Sequence, residues 1–238
     1  MSGTPLQRLV EAPTVAVSRL RSPGSAVTHE TIELHVEYSD EPGKPTVTHT
    51  YEPTGVVVHE QWHKNGPDSP LHRIGAPAVI DRCMFSGELD SVEYYEEGEP
   101  HRVGGPAEIE YDQDGNIVIE GWYKKGQKHR TGSPAIIHRF KEVIWIEEYY
   151  QDGFLHRLDG PAKIVRNADN GILCQEAWYI WGLPYRADGG PTSRLYNSVT
   201  GALWREIFES VEATPTRAEA LRSVLGISPN LTLIDLMP

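Results

Sequence analysis

Positive charge is scarce in this sequence. Lys and Arg total 22 against 34 Asp and Glu, a formal net charge of −12 over 238 residues. Phosphate neutralisation supplies most non-specific nucleic-acid affinity, so direct binding to DNA or RNA is not expected. Cysteine is nearly absent: Cys83 and Cys174 stand far apart, in no CxxC pair. That excludes a secreted disulfide framework and points to a reducing, cytoplasmic setting. MSGTPLQRLV at the N-terminus has neither the basic nor the apolar region of a signal peptide. No apolar run reaches the roughly 20 residues of a membrane span, so no membrane insertion is expected. Walker loops, GxGxxG and GxSxG are missing too. Asp and Glu are so abundant that a carboxylate pair could be drawn almost anywhere, and none carries weight. No cofactor and no catalysis are expected.

Apolar residues make up 39%, but a mean hydropathy of −0.44 argues against a thick core and for a thin or elongated fold. The 22 Gly and 18 Pro are spread along the chain, which suggests many short elements separated by turns.

What is present is a repeat. SPLHRIGAPAVI, GEPHRVGGPAEI, GQKHRTGSPAII and GFLHRLDGPAKI share one pattern, with a worn copy, GLPYRADGGPTS. Their arginines, Arg73, Arg102, Arg130, Arg157 and Arg186, are 29, 28, 27 and 29 residues apart. Pro77, Pro106, Pro134 and Pro161 each follow by four residues, and Pro191 by five. Upstream recur Trp62-His63, Tyr94-Tyr95, Trp122-Tyr123, Tyr149-Tyr150 and Trp178-Tyr179, each followed three residues later by a glycine. Two residues before the first aromatic stands Glu60, Glu120, Glu147 or Glu176, with Val92 the exception. Periodicity of this length is the mark of a repeat architecture.

Each unit reads as a β-hairpin. Ala107 to Tyr111 alternates, Asp114-Gly115 turns, and Ile117 to Tyr123 forms the second strand. Proline suits the first residue of a strand, because it donates nothing to a ladder there. Looser strands are expected upstream, over Ile32 to Tyr38 and Val47 to Tyr51, and downstream over Leu203 to Phe208. Thr4-Pro5-Leu6-Gln7 resembles a capping box, and Thr216-Arg217-Ala218-Glu219 is a stronger one, with Gly226 as a stop. The expected fold is all-β, an antiparallel meander of hairpin repeats in an elongated twisted sheet. It divides into residues 1–26, a helix and lead-in strand; 27–210, the repeats; and 211–238, a helix and an apolar tail.

The Tyr/Trp-Tyr-x-x-Gly element resembles the MORN class of hairpin repeats. With Leu-His-Arg-x-x-Gly-Pro-Ala, it resembles a variant repeat of uncharacterised viral and bacteriophage proteins. The resemblance covers roughly Val56 to Glu209. The period here is longer than in standard MORN repeats, and His-Arg-x-x-Gly-Pro replaces their later Gly-x-Gly. It implies a ribbon-like sheet that serves as a scaffold, and a phage accessory or regulatory protein that redirects a larger enzyme. A DNA-recombination enzyme would be an example of such a partner.

The repeated residues read as a structural joint. Arg73, Arg102, Arg130, Arg157 and Arg186 are expected to lay their stems over Trp62, Trp122, Trp178 and the equivalent tyrosines. Their guanidinium groups would pair with Glu60, Glu120, Glu147 and Glu176 or cap loop carbonyls. His72, His101, His129 and His156 would donate to loop carbonyls. Each unit would thus pin its loop to its neighbour. The competing reading is an open row of Arg, His and aromatics that binds glycans or anionic lipid headgroups. Exposure of Arg102, Arg130 and Arg157 separates the two.

His59-Glu60-Gln61-Trp62-His63 matches the zinc-hydrolase pattern HExxH, which needs a helix to bring both imidazoles to one metal. Here it follows Val56-Val57-Val58 and fills the repeat's strand slots. In a strand the two histidines would lie roughly 13 Å apart, so no metal site is expected. The chain reads as a non-catalytic protein-binding module. The tail residues Leu231, Leu233, Ile234, Leu236 and Met237 are the preferred contact with a protein partner; the alternative is that they cap the end of the sheet.

Overall fold

The computed structural model describes residues 34–209 and the backbone of two short paired strands, Val15–Ala16 and Thr31–Ile32. The helices expected near both termini lie outside the described residues, as do most of residues 1–26 and all of 211–238.

Thirteen strands form one antiparallel sheet in strict chain order. They are Leu34–Tyr38, Val47–Tyr51, Val56–Gln61, Val79–Arg82, Leu89–Glu93, Glu108–Tyr111, Ile117–Gly121, Ile136–Phe140, Val143–Glu148, Lys163–Arg166, Leu173–Ala177, Ser193–Tyr196 and Leu203–Ile207. The sheet does not close. The expected all-β meander is the fold observed.

Tight turns and longer loops alternate between the strands. In the turn at residues 112–116, Asp112 Oδ1 accepts the N–H groups of Asp114 and Asn116, both at 2.9 Å. The longer loops leave from the opposite edge. Four of them fold into miniature hairpins of two-residue strands, such as Tyr123–Lys124 with Gln127–Lys128 and Tyr150–Gln151 with Phe154–Leu155. The strand expected to run through Tyr123 therefore stops at Gly121. Trp122 still donates to Ala135, but its carbonyl accepts from His129 of its own loop. The partner changes there, so the chain turns out of the sheet.

Side-chain rows cross the sheet. One register row runs Glu60, Ile80, Val92, Ile109, Glu120, Ile137, Glu147, Ile164 and Glu176. From Ile109 to Glu176 carboxylates alternate with isoleucines, and three apolar residues, Ile80, Val92 and Ile109, separate Glu60 from Glu120, so no like charges stand directly opposite. Buried material is small and lies at the roots of the loops: Ala78, Ala107, Ala135 and Ala162 have almost no exposure. Among the described residues no large side chain is fully buried. The low hydropathy corresponds to a single layer rather than a packed sandwich.

Register slips by one residue between Asp81 and Arg82, His138 and Arg139, and Val165 and Arg166. Such bulges re-aim the side chain beyond them. Here they deliver arginines to the glutamate row.

Candidate functional site

The loop edge is built from one joint used five times. The guanidinium carbon of Arg73 sits 3.8 Å from the Trp62 ring centre, and that of Arg102 3.9 Å from Tyr94. Arg130 lies 3.7 Å from Trp122, Arg157 4.0 Å from Tyr149, and Arg186 4.3 Å from Trp178. The charged head itself stacks on the ring, where the sequence suggested the aliphatic stem. Four of the arginines also donate from Nη1 to the carbonyl of the proline four residues on, at 3.0 to 3.4 Å. The residue before the proline varies, Ala76, Gly105, Ser133 and Gly160 in these four repeats, and where it is Gly the guanidinium packs close to it. A Cβ on Gly105 would come within 2.9 Å of Arg102 Cζ.

The histidines work in the opposite sense to the one expected. His72 Nδ1 accepts from the Glu97 N–H at 3.1 Å, and His101 from Lys125 at 3.2 Å. His129 accepts from Asp152 at 3.1 Å, and His156 from Trp181 at 3.2 Å. Each donor belongs to the next miniature hairpin. Gly98, Gly126, Gly153 and Gly182, one residue further, donate to the backbone carbonyls of Leu71, Pro100, Lys128 and Leu155. Adjacent loops are thereby stitched by paired hydrogen bonds. At His156 accepting at Nδ1 places the ring proton on Nε2 of a neutral imidazole, whereas His129 Nδ1 also lies 2.9 Å from Asp152 Oδ1. Burial holds His156 below the usual histidine range.

The glutamates do not meet the loop arginines. Glu60 pairs with Arg82 at 2.6 Å, Glu120 with Arg139 at 2.5 Å and Glu147 with Arg166 at 2.5 Å, using the arginines beyond the bulges. Glu176 instead accepts from the Tyr196 hydroxyl at 2.6 Å. The repeat with Val92 in the glutamate slot has Tyr111 in the arginine slot, so charge is absent from both sides together.

On the other face, Tyr95 donates to Glu93 at 2.8 Å and Tyr123 to Glu108 at 3.0 Å. Tyr150 donates to Glu148 at 3.3 Å. Burial, reinforced by the carboxylates, pushes the Tyr150 phenol up to about 12 and the other two higher. These phenols stay protonated and serve as donors.

HEQWH lies on and just beyond the strand Val56–Gln61, so His59 and Glu60 point to opposite faces. His59 Nδ1 meets Asp81 Oδ1 at 2.5 Å, and Ser91 Oγ donates to Asp81 Oδ2 at 3.1 Å. His63 Nδ1 is 2.6 Å from Thr46 Oγ1. The His49 ring lies 5.1 Å from that of His59; burial first, then the neighbouring His59, hold it below the usual histidine range. In this row the serine and the histidine both bond the aspartate, so nothing activates the serine as a nucleophile. Among the described residues no cluster of three or more His, Cys, Asp or Glu has metal-holding geometry. The row escaped sequence reasoning because His49, His59, Asp81 and Ser91 meet only through register.

Apolar side chains stand free at the loop tips. Ile74 is 81% exposed, Val103 88% and Leu158 52%. Each directly follows its arginine, and Thr131 and Ala187 hold the equivalent places. The x of His-Arg-x was the available signal. Leu231, Leu233, Ile234, Leu236 and Met237 lie outside the described residues. Comparison with models of known families, with curated proteins and with solved structures finds no match.

Proposed function

We propose that this chain is a non-catalytic protein-binding module whose loop edge docks on a partner. One observation carries the reading: the four loop histidines and four of the five loop arginines bond within the fold, while one apolar side chain in each of three repeats is turned out to solvent at the loop tip. Guanidinium groups are stacked on rings and bonded to carbonyls, and imidazoles accept backbone N–H groups. What the edge offers an incoming surface is Ile74, Val103 and Leu158, spaced along the sheet by multiples of two strands, roughly 10 Å each. A row of this kind suits an extended protein surface better than a small molecule. The half-buried arginines weigh against a glycan or anionic-lipid ribbon, which needs them open. The resemblance to viral and phage repeats extends the reading to an accessory protein that redirects a larger enzyme, such as one of DNA recombination.

The test is affinity purification of the tagged full chain from its native cells after nuclease treatment, beside the variant Ile74→Asp/Val103→Asp/Leu158→Asp. One dominant protein captured by the native chain and lost from the variant supports the reading. Equal capture by both, or capture of no protein, overturns it. Retention on glycans or anionic vesicles that Arg102→Ala abolishes would establish the competing class.

A further inference from the structure

We infer that the loop edge pairs with the same edge of a second copy of this chain, about a two-fold axis that passes between the loops 94–107 and 122–135. The inference rests on the docking reading above and names the occupant of that edge. Loops 62–78, 94–107, 122–135 and 149–162 leave the sheet two strands apart, about 10 Å each. An axis normal to the sheet at that point sets the first of these loops against the fourth of the second copy, and the second against the third. A two-fold contact uses the same patch on both copies, so the patch must complement itself.

Charge on the edge reverses sign across that axis. The miniature hairpin of the second loop carries Glu96, Glu97 and Glu99, all exposed. That of the third carries Lys124, Lys125 and the less exposed Lys128, three of the chain's seven lysines. Glu97 already pairs with Lys64 at 2.7 Å, and Glu96 reaches only the His101 ring, at 3.5 Å. The carboxylate of Glu99 and the ammonium groups of Lys124 and Lys125 form no ion pair among the described residues. In a chain of net charge −12, unpaired lysines side by side call for an acidic surface from outside. The acidic hairpin of a second copy supplies it. Apolar tips obey the same axis: Ile74 of the first loop falls opposite Leu158 of the fourth, and Val103 opposite the exposed Thr131 methyl. An axis through the second or the third loop would instead set like charges together, which is costly. A different protein would have to present both patterns in reverse order. Repulsion between two acidic copies is screened beyond about 8 Å at physiological salt, so the local pattern decides.

The test is sedimentation velocity on the full chain at physiological salt, at concentrations up to about 100 μM. The native chain is expected to dimerise. Glu96→Lys/Glu99→Lys and Lys124→Glu/Lys125→Glu should each weaken the dimer about tenfold or more, because each sets like charges together across the axis. An equimolar mixture of the two variants should recover the native affinity, since each then presents the sign that the other lacks. A monomeric native chain, a dimer that tolerates both reversals, or a mixture no tighter than its components overturns the inference. A native monomer that captures a different protein through the loop tips overturns this inference alone and leaves the docking reading in place. Cross-linking covers the case in which a reversal disturbs the fold. With Cys83 and Cys174 replaced by Ser, a chain carrying Val103→Cys is expected to form a disulfide with one carrying Thr131→Cys faster than either forms with itself. Two copies of Val103→Cys would stand one loop spacing apart along the edge, about 10 Å, beyond disulfide reach. Equal rates overturn the inference.

Discussion

At the scale of the residue, the molecule solves the cost of half-burying charge by giving each charged group a dedicated partner. The stacked, fork-shaped guanidinium is not interchangeable with an ammonium. Arg130→Ala should cost about 2 kcal/mol, combining loss of the ring contact and of the Pro134 bond. Arg130→Lys should recover less than half of that, as read by urea unfolding. Val92 offers a second test. Val92→Glu replaces a buried apolar side chain with a carboxylate whose partner would be only the Tyr111 hydroxyl, as Tyr196 partners Glu176, and should destabilise by about 1 to 2 kcal/mol. Adding Tyr111→Arg should restore most of the loss in a double-mutant cycle.

The histidines give the protein a pH dependence. His156 is held below its unfolded value, near 6.5, by burial. Between those two values the unfolded chain binds more protons, so stability rises with pH. The contribution is complete above about pH 6.5 and is lost as pH falls through the folded value. The Tm should therefore drop between pH 7.5 and 5.5, and His156→Asn, which keeps an acceptor but cannot titrate, should show a smaller drop. The presence of these residues was plain from the repeat, but their direction was not. Acceptor and donor roles of an imidazole depend on which backbone group the next loop presents.

At the scale of the element, strands and their order follow from alternation and from regularly spaced turn residues. Their ends do not. The sequence pattern runs smoothly through Trp122, and only the switch of hydrogen-bond partner shows that the sheet is left there. The bulges are equally silent, since an extra residue in a strand leaves no compositional mark. Yet they decide that Glu120 meets Arg139 and not Arg130. The miniature hairpins turn on Glu97-Gly98, Lys125-Gly126, Asp152-Gly153 and Trp181-Gly182, with positive φ at both residues. A lysine at φ +49° is strained, and Asn-Gly is the pair such turns favour. Lys125→Asn should raise stability by about 0.5 to 1 kcal/mol, read as a shift in the urea midpoint at unchanged slope.

At the scale of the whole molecule, every unit touches only its neighbours, which makes length an adjustable quantity. Duplicating residues 108–135 joins Ala135 to Glu108, reproducing the native step from Ala107. The longer chain should fold, and solution scattering should show it extended by roughly 10 Å, the width of two strands. Loss of cooperative unfolding would count against a modular sheet.

The uncrossed strand order also bears on how the protein is made. Among the described residues no strand of the large sheet waits for a partner from later in the chain than the next hairpin, so its contacts are short-ranged and loop-closure costs stay low. As synthesis proceeds, each emerging hairpin meets a template already in place, and the growing edge moves with the ribosome. A chain halted partway would carry a finished sheet up to its last complete unit and an open edge at the halt.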